Sequence, residues 1–262
     1  MELSQLQLFR NKIDTGSVFG IFMKTCDPAF VETAGYAGCD FAVLDMEHGP
    51  IGMEQMQNNI RAAEAAGILP IVRVESLSEQ WISKALDIGA AGVQIPQVST
   101  AGDARRAVQA AKFYPGGERG VCRFVRAARY SSKPKAQYFQ EANETLVIIQ
   151  LEGLEGVENL EEILQVEGVD ILFIGPYDLS QSMGLTGQTS HPLVVEQMRR
   201  IVEKARALGV AVGAFTEDES SLKTWMDAGV RYLSYSVDVG VFFEACSAAK
   251  QRYLRFLSTP ED

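Results

Sequence analysis

The 262-residue sequence predicts a single α/β domain folded as a (β/α)8 barrel. Short apolar runs of strand length alternate eight times with longer amphipathic segments of helical period. No low-complexity linker interrupts this alternation, so residues 1–262 form one predicted domain. Eight β-α repeats in a chain of this length are typical of a barrel whose centre is packed with side chains.

The elements follow from the apolar pattern, taken in chain order. The predicted strands cover residues 18–23, 40–46, 69–74, 91–96, 146–152, 169–175, 210–215 and 231–236. Among the segments between them, clear helical patterns cover residues 53–67, 78–90 and 192–209. Each of these helices ends near a glycine, as helix C-termini often do.

Residues 115–143 break the rhythm of the repeats. This stretch is too long for an ordinary connection and contains four arginines, so it predicts an Arg-rich functional loop after repeat four. We expect it to lie over the barrel mouth. The closing helix, VDVGVFFEACSAAKQRYLRFL, carries more large apolar residues than one barrel face requires, which indicates subunit contact.

Composition narrows the classes of function. A net charge of −10 disfavours a nucleic-acid or anionic-membrane surface, because both would repel an acidic protein. No apolar run is long enough to span a bilayer. The first residues lack the order of a secretory signal, so a cytoplasmic location is expected. The four cysteines include no CxxC pair, which suggests neither a zinc site nor disulfides.

Polar residues follow the predicted strands, and in such barrels the active site lies at the C-terminal ends of the strands. Glu152 and Asp178 come from successive strands, where their oxygens could meet on a hard cation such as Mg²⁺ or Mn²⁺. For each carboxylate alone, a helix cap or a solvated loop position is an equally good interpretation. The other polar residues at this rim are Lys24, Asp45, Glu47, His48, Arg73, Gln94, Gln97 and Gln150.

Two further residues at this rim are candidates for chemistry. His48 is one of only two histidines and is suited to moving protons near neutral pH, although a structural loop histidine is the alternative. Arg73 follows apolar residues and would be costly to bury without an anion. It could clamp a substrate carboxylate or enolate oxygen, or form a salt bridge with Asp45 or Glu47, and both could hold at once.

Six motifs occur in order: DMEHGP, PIVRV, IPQV, GERGV, QLE and IGPYDLS. Together they resemble the HpcH/HpaI aldolase family, from about residue 15 to residue 250. That family includes 4-hydroxy-2-oxoheptanedioate and 2-dehydro-3-deoxyglucarate aldolases and belongs with the phosphoenolpyruvate- and pyruvate-binding barrels. The resemblance implies a divalent-metal aldolase that cleaves or makes a C–C bond between a 2-oxo acid and an aldehyde.

The resemblance also assigns roles to individual residues. Glu152 and Asp178 would hold the metal, which would be Mg²⁺ or Mn²⁺ with Co²⁺ as a further option. Arg73 would face the keto oxygen of pyruvate, and His48 would be the acid/base residue. The remaining assignments are Gln150, Pro176 and Tyr177 at the substrate site, and Asp45 and Glu47 ordering the loop and a metal-bound water.

In the same family an aspartate from a neighbouring subunit supports the histidine, and this aspartate matches Asp87 in KALDIGA. The resemblance further implies a homohexamer in which the closing helix is exchanged between subunits. Asp87 could therefore support His48 only in an assembled oligomer.

One departure from the aldolase pattern opens a second possibility. The segment CRFVRAARY adds Arg123 to Arg126 and Arg129, and an extra cation suggests an extra anionic group on the substrate. Arg123 and Arg126 are therefore expected to bind the substrate. With FMKTCDPAF near strand one, it resembles the citrate synthases of siderophore biosynthesis, a branch that joins oxaloacetate to acetyl-CoA without a metal. Arg73 and Arg123 would then bind the carboxylates of oxaloacetate, while His48 and Glu152 would share proton transfer.

Two other classes stay open at this point. A lysine-dependent aldolase would need a desolvated lysine for a Schiff base, and Lys24 at the end of strand one is the candidate. A non-catalytic protein that only binds pyruvate or oxaloacetate is also compatible with the sequence, because fold does not determine function.

Overall fold

The computed structural model describes residues 3–258, and its centre is a closed barrel of eight parallel strands. Each strand pairs with the next one along the chain, and the last strand closes onto the first. Helices connect the strands around the outside. The predicted (β/α)8 barrel is confirmed.

All eight predicted strands are present, each within two residues of its predicted bounds. They are β1 (Val18–Met23), β2 (Phe41–Asp45), β3 (Leu69–Arg73), β4 (Gly92–Ile95), β5 (Leu146–Leu151), β6 (Ile171–Ile174), β7 (Ala211–Thr216) and β8 (Tyr232–Val237).

The three predicted helices are also present, as α3, α4 and α10 in the full set. The helices are α1 (Leu3–Thr15), α2 (Pro28–Tyr36), α3 (Met53–Ala66), α4 (Glu79–Asp87), α5 (Ala101–Ala111), α6 (Lys135–Ala142), α7 (Leu154–Glu158), α8 (Leu160–Leu164), α9 (Pro176–Ser182), α10 (Pro192–Ala207), α11 (Glu219–Ala228) and α12 (Asp238–Ser258). A short 3₁₀ helix covers Arg126–Ala128.

Two apolar layers form the core, and the period of two along each strand separates them. In β2, Phe41 and Val43 pack inside the barrel, while Ala42 and Leu44 pack between the barrel and the helices. The next inward position in the same alternation is Asp45. The alternation along β2 therefore places the charged side chain of Asp45 inside the barrel at its C-terminal end.

The N-terminal end of the barrel is closed by α1, an element that the predicted set did not include. Leu6, Phe9 and Ile13 are buried in the same cluster as the interior strand residues. The Phe9 ring meets Phe41 edge-on at 5.9 Å, and Phe41 stacks on Tyr232 with ring centroids 3.9 Å apart. Because this end of the barrel interior is plugged with apolar side chains, the interior opens to solvent at the other end, where active sites of such barrels lie.

The Arg-rich segment lies at this N-terminal end, so the expectation that it covers the mouth of its own barrel is wrong. Arg126 donates to Glu64 in the last turns of α3 and to the Ile88 carbonyl just after α4. The physical reason is chain direction. The segment connects α5 to β5, and a connection that leads into a strand lies at the N-terminal face of a parallel barrel.

The last helix, α12, leaves most of its apolar surface uncovered. Its exposed large side chains include Phe242, Phe243, Tyr253, Phe256 and Leu257. This agrees with the surplus of apolar residues noted in the sequence. Within residues 3–258, no helix combines the length and the apolar character needed to cross a bilayer.

Gly20→Ala tests the packing of the barrel interior. A Cβ at Gly20 would lie 2.4 Å from the Phe41 carbonyl oxygen and 2.5 Å from its ring. We expect the substitution to lower the free energy of unfolding by about 1–3 kcal/mol, as overpacking does, measured by urea denaturation. Gly120→Ala is the matched control, since its Cβ would meet open space. Equal stability of the two variants would contradict this account.

Candidate active site

A cavity of about 540 Å³ opens at the C-terminal end of the barrel. It brings together six residues that the sequence placed at the site, namely His48, Arg73, Gln150, Pro176, Tyr177 and Asp178. Lys24, the Schiff-base candidate, also lines the cavity. Phe22, Phe173 and Phe215 supply apolar walls. A mostly apolar cavity with a few converging polar groups is the usual form of a small-molecule site.

The floor of the site is a forked ion pair between Arg73 and Asp45. The two residues are paired across β2 and β3, and both side chains are buried. Arg73 donates from Nε and from one terminal nitrogen to the two carboxylate oxygens of Asp45, each at 2.8 Å. Its guanidinium carbon also lies 4.8 Å from the centre of the Phe22 ring. The predicted salt bridge of Arg73 is therefore present.

Asp45 also builds the loop that follows β2. Its Oδ1 accepts hydrogen bonds from the backbone N–H groups of Glu47 at 3.0 Å and His48 at 3.3 Å. Burial by itself would raise the pKa of Asp45, but the hydrogen bonds and charge of Arg73 outweigh burial and lower it. Asp45 thus stays ionised and holds both the arginine and the turn that carries His48.

Glu47 lies on the other side of the same guanidinium. Its Oε2 is 3.0 Å from a terminal nitrogen of Arg73 and 3.9 Å from Nε2 of His48. Within the described chain this buried oxygen makes no hydrogen bond. Burial raises the pKa of Glu47, and the attraction of Arg73 only partly offsets that effect. Glu47 is therefore a buried carboxylate with spare capacity for a positive partner.

Glu152 is held by a chain of amides at the ends of β4 and β5. Gln94 donates to Oε1 of Gln150 at 2.7 Å, and Gln150 in turn donates to Glu152. The backbone N–H of Gln97 donates to the other Glu152 oxygen at 2.8 Å. Gln97 has a φ of 55°, a left-handed conformation that is uncommon for a residue with a side chain. The local backbone is thus bent so that its N–H reaches the carboxylate.

The surroundings of Glu152 favour its neutral form. Burial, followed by the negative charges of Glu47 and Asp178, raises its pKa from an ordinary 4.5 to about 7, despite the hydrogen bonds from Gln150 and Gln97. Gly175 lies against it, and a Cβ there would come within 2.7 Å of Oε2. The close approach of the backbone explains a glycine at this position.

Asp178 and His48 are solvent-exposed residues at the rim of the site. Asp178 stands in the first turn of α9 and is exposed, yet its charge acts on both Glu47 and Glu152. The His48 side chain is 58% exposed. Both side chains are therefore free to meet a molecule that enters the cavity.

Carboxylate oxygens of the kind that a hard divalent cation binds are present at Glu47, Glu152 and Asp178. In residues 3–258, no three or more His, Cys, Asp or Glu side chains lie close enough together to hold a metal ion by themselves. Glu47, Glu152 and Asp178 nevertheless repel one another, and the buried Oε2 of Glu47 is ion-paired with Arg73 but accepts no hydrogen bond. Mg²⁺ commonly uses one or two carboxylates and leaves its other positions to water or substrate. The donor set here is of that open kind.

Six predicted site residues do not themselves line the cavity of their own chain. Asp45 and Glu47 contact Arg73, and Glu152 contacts Gln150, so these three touch residues that line it. The other three are Asp87, Arg123 and Arg126.

Asp87 ends α4 and pairs with Arg119, whose side chain is 1% exposed, at the N-terminal end of the barrel. Arg126 lies at the same end, and Arg123 donates to the backbone carbonyls of Ser131 and Lys133. Neither Arg123 nor Arg126 lines the pocket of its own chain, for the topological reason given above, and substrate binding by these two residues stays a prediction.

The structure adds two residues to which the sequence had assigned no role. Asp238, in the strand ending SYSVD, accepts hydrogen bonds from the backbone N–H groups of Lys24 and Thr25 and so fixes the turn after β1. Glu217, directly after β7 in the motif AFTED, lines the cavity beside Tyr177. Both residues follow strands at the C-terminal face of the barrel, which is the signal that could have singled them out. Lys24 itself lies 3.5 Å from Asp45, an ionic partner instead of the apolar surroundings that activate a Schiff-base lysine.

Comparison with known proteins agrees with this geometry. The family model for HpcH/HpaI aldolase/citrate lyase matches residues 18–245. The chain belongs to the HpcH/HpaI aldolase/citrate lyase family. The prediction of an enzyme of this aldolase family is thereby confirmed, and the non-catalytic alternative loses support.

Named relatives lie on both the aldolase and the synthase side of the family. A hydroxypyruvate/pyruvate aldolase from Paraburkholderia phytofirmans is 38% identical over 247 residues, which cover 91% of this chain and 94% of that enzyme. The structure of a family protein from Burkholderia cenocepacia J2315 superposes with a TM-score of 0.89 at 33% identity, covering 96% and 99% of the two chains. The structure of the citrate synthase SbnG superposes with a TM-score of 0.87 at 33% identity, covering 98% of this chain and 100% of that chain.

Glu152→Gln tests the electrostatics of the site without any ligand. The pKa of Glu152 is about 7 in the folded protein and about 4.5 in the unfolded chain, so the unfolded chain loses this proton more readily. The free energy of unfolding of the chelator-stripped protein therefore falls as the pH rises from about 4.5 through 7. We expect Glu152→Gln to be more stable than the wild type at pH 8, by up to about 3 kcal/mol, and closely similar at pH 4.5.

Urea denaturation at the two pH values measures this difference. The exposed Glu155 of α7 provides the control, and Glu155→Gln should show no such pH-dependent gain. A Glu152→Gln variant that is no more stable than the wild type at pH 8 would show that burial and neighbouring charges do not destabilise the ionised Glu152 carboxylate.

Proposed function

We propose that this protein is a divalent-metal aldolase that acts on a 2-oxo acid through an enolate of pyruvate. The observation that supports it best is the group of three carboxylates, Glu47, Glu152 and Asp178, that act on one another electrostatically, with Glu47 also 3.0 Å from the Arg73 guanidinium. Such a site concentrates carboxylates for a cation next to a fixed positive charge for an oxyanion. The Paraburkholderia relative named a hydroxypyruvate/pyruvate aldolase supports the same reaction class.

Arg73 is the proposed partner of the keto oxygen. The fork to Asp45 fixes the plane of the guanidinium, whose other terminal nitrogen lies 3.0 Å from Glu47, and Arg73 lines the cavity. A positive group that is already oriented loses little free energy to reorganisation when negative charge develops on the substrate. Gln150, held by Gln94, presents its amide in the same cavity and would orient the oxo acid.

Glu152 and Asp178 are the proposed metal-holding residues, with Glu47 close by and Asp45 and Glu47 ordering the surrounding loop. When bound, a divalent cation would supply positive charge that favours ionised Glu152 and stabilises an enolate. Mg²⁺ and Mn²⁺ suit the carboxylate oxygens, and Co²⁺ is a further candidate. Pro176 and Tyr177 border the same space and would limit how the substrate lies.

His48 is the proposed acid/base residue. It lines the cavity with an accessible ring, and Nε2 lies 3.9 Å from Glu47. In the cleavage direction His48 would take the proton from the 4-hydroxyl group of the substrate while the C–C bond breaks and the electron pair passes to the enolate. It would return a proton to the aldehyde oxygen in the condensation direction.

A citrate synthase is the second candidate function. The observation in its favour is the likeness to the citrate synthase SbnG, a structure that superposes nearly as well as the family protein from Burkholderia. In this alternative the pocket would hold oxaloacetate and acetyl-CoA, with His48 and Glu152 sharing proton transfer and no metal. Arg123 lies outside the pocket of its own chain, so a second carboxylate clamp would have to come from another subunit.

We also propose that the active unit is a homohexamer with α12 exchanged between subunits. The exposed apolar face of α12 supports a partner surface of this kind. Asp87 lies at the N-terminal end of its own barrel, whereas His48 lies at the C-terminal end. Support of His48 by Asp87 therefore requires the neighbouring copy.

Deuterium exchange into the methyl group of pyruvate tests the aldolase proposal. We expect NMR to show exchange when Mg²⁺ or Mn²⁺ is added to chelator-stripped protein, because enolisation must precede the aldol step. Glu152→Gln should reduce the exchange rate by at least about 100-fold, the scale of a lost group that stabilises developing charge. Glu155→Gln should exchange like the wild type.

Absence of exchange with and without metal would overturn the aldolase proposal. The same preparations would then be given oxaloacetate and acetyl-CoA, and release of free thiol without added metal would establish the synthase. Borohydride reduction in the presence of pyruvate would trap Lys24 only if a Schiff base formed.

Asp87→Asn tests the role of the neighbouring subunit. The amide can still accept the hydrogen bond from buried Arg119 but loses the charge that would support His48. We expect aldol turnover to fall about 10- to 100-fold, with divalent-cation affinity by calorimetry and hexamer mass by light scattering retained. Turnover equal to the wild type in an intact hexamer would rule out this role.

A further inference from the structure

A second cavity of about 350 Å³ adjoins the first at the C-terminal end of the barrel. The two share a wall made of Pro176, Tyr177, Phe215 and Glu217. Hydroxyl groups are frequent on the far side of this wall, contributed by Thr189, Ser190, Ser220, Ser221 and Thr224. The substrate pocket therefore has a polar extension that the proposed chemistry does not use.

The wall is held by a hydrogen bond between Tyr177 and Glu217. The phenol donates to Oε1 of the carboxylate, although the two residues are 40 positions apart in the chain. The ring also leans on Phe215 at 6.4 Å, which fixes its direction.

Glu217 has an oxygen left over. In the described part of the chain, its Oε2 makes no hydrogen bond, and its backbone N–H is anchored to Ser221 at 3.2 Å. The residue is exposed and borders both cavities. A carboxylate in this position can accept a hydrogen bond from a ligand hydroxyl and repels a ligand carboxylate.

We propose that Glu217, positioned by Tyr177, determines specificity for the carbonyl partner. It accepts a hydrogen bond from a hydroxyl on the carbon next to the aldehyde group and disfavours a carboxylate at that place. Longer hydroxylated partners extend past Glu217 towards the hydroxyl-lined cavity. This inference rests on the proposed aldolase function and adds to it the chemical class of the second substrate.

The size and lining of the first cavity support this assignment. A three-carbon oxo acid on Arg73 and Gln150 occupies only part of about 540 Å³. The space beyond it is bordered by apolar Phe215 and Val239 and by the Glu217 carboxylate. Among these three residues, only the Glu217 side chain can accept a hydrogen bond from a hydroxyl group of the carbonyl substrate.

Three two-carbon aldehydes provide the test, because they differ only at the second carbon. The second carbon carries a hydroxyl in glycolaldehyde and only hydrogens in acetaldehyde, and in glyoxylate it is itself the carboxylate carbon. Condensation of each with pyruvate is followed by product formation at saturating Mg²⁺ in the intact protein. The quantity compared is kcat/KM for each aldehyde, expressed as a ratio to acetaldehyde.

Three variants separate the effects of the Glu217 charge, its hydrogen-bond acceptor and its positioning by Tyr177. They are Glu217→Leu, Glu217→Gln and Tyr177→Phe. We expect Glu217→Leu to lower the glycolaldehyde ratio about tenfold, the worth of one hydrogen bond to a charged group, and to raise the glyoxylate ratio. Glu217→Gln should raise the glyoxylate ratio but keep much of the glycolaldehyde preference, because an amide oxygen still accepts. Tyr177→Phe should lower the glycolaldehyde ratio several-fold. Glu219→Gln, an exposed acid that lines neither cavity, should keep both wild-type ratios.

Pyruvate-methyl exchange in every variant distinguishes failure of this inference from failure of the proposed function. If the wild type exchanges and condenses, but the ratios of the Glu217 variants equal those of Glu219→Gln, the specificity role is wrong. If the wild type does not exchange at all, the aldolase proposal has failed, and this inference fails with it.

Discussion

The buried fork between Arg73 and Asp45 is the interaction on which the rest of the site depends. An arginine inside a barrel is tolerated only with an anion in good geometry, and breaking such a pair costs about 3–5 kcal/mol because a buried charge is left uncompensated. Asp45 supplies that anion and also holds the backbone of the loop that carries Glu47 and His48. Strand pairing, loop shape and catalytic charge are thus tied to one carboxylate.

Charge balance around this fork explains the character of the site. Burial raises the pKa values of Glu47 and Glu152, and Arg73, which is already paired with Asp45, only partly offsets this effect at Glu47. Asp178 adds a further negative charge at the rim. The cluster is therefore poised to take up either protons or a cation. A site of this composition suits chemistry in which a cation and an arginine share the charge of an enolate.

The two ends of the barrel differ in structure, since one is closed by packed side chains and the other is open to a cavity. At the N-terminal end, α1 plugs the interior with Phe9 and its neighbours, and the Arg-rich segment ties α3, α4 and the approach to β5 together. At the C-terminal end, short strand-to-helix connections leave the polar side chains open to the cavity. This division is general for parallel barrels, since stability and chemistry are assigned to opposite faces.

The sequence by itself determined the eight strands, their order, the family and most of the residue types at the rim. These follow from local patterns, because a period of two along each strand decides which side chains point inward at the strand end, as for Asp45 and Arg73. Only the tertiary structure decided the face on which the Arg-rich segment lies, the raised pKa of Glu152 and the bond between Tyr177 and Glu217. Each of these depends on groups that are distant along the chain and brought together by barrel closure, which no local pattern encodes.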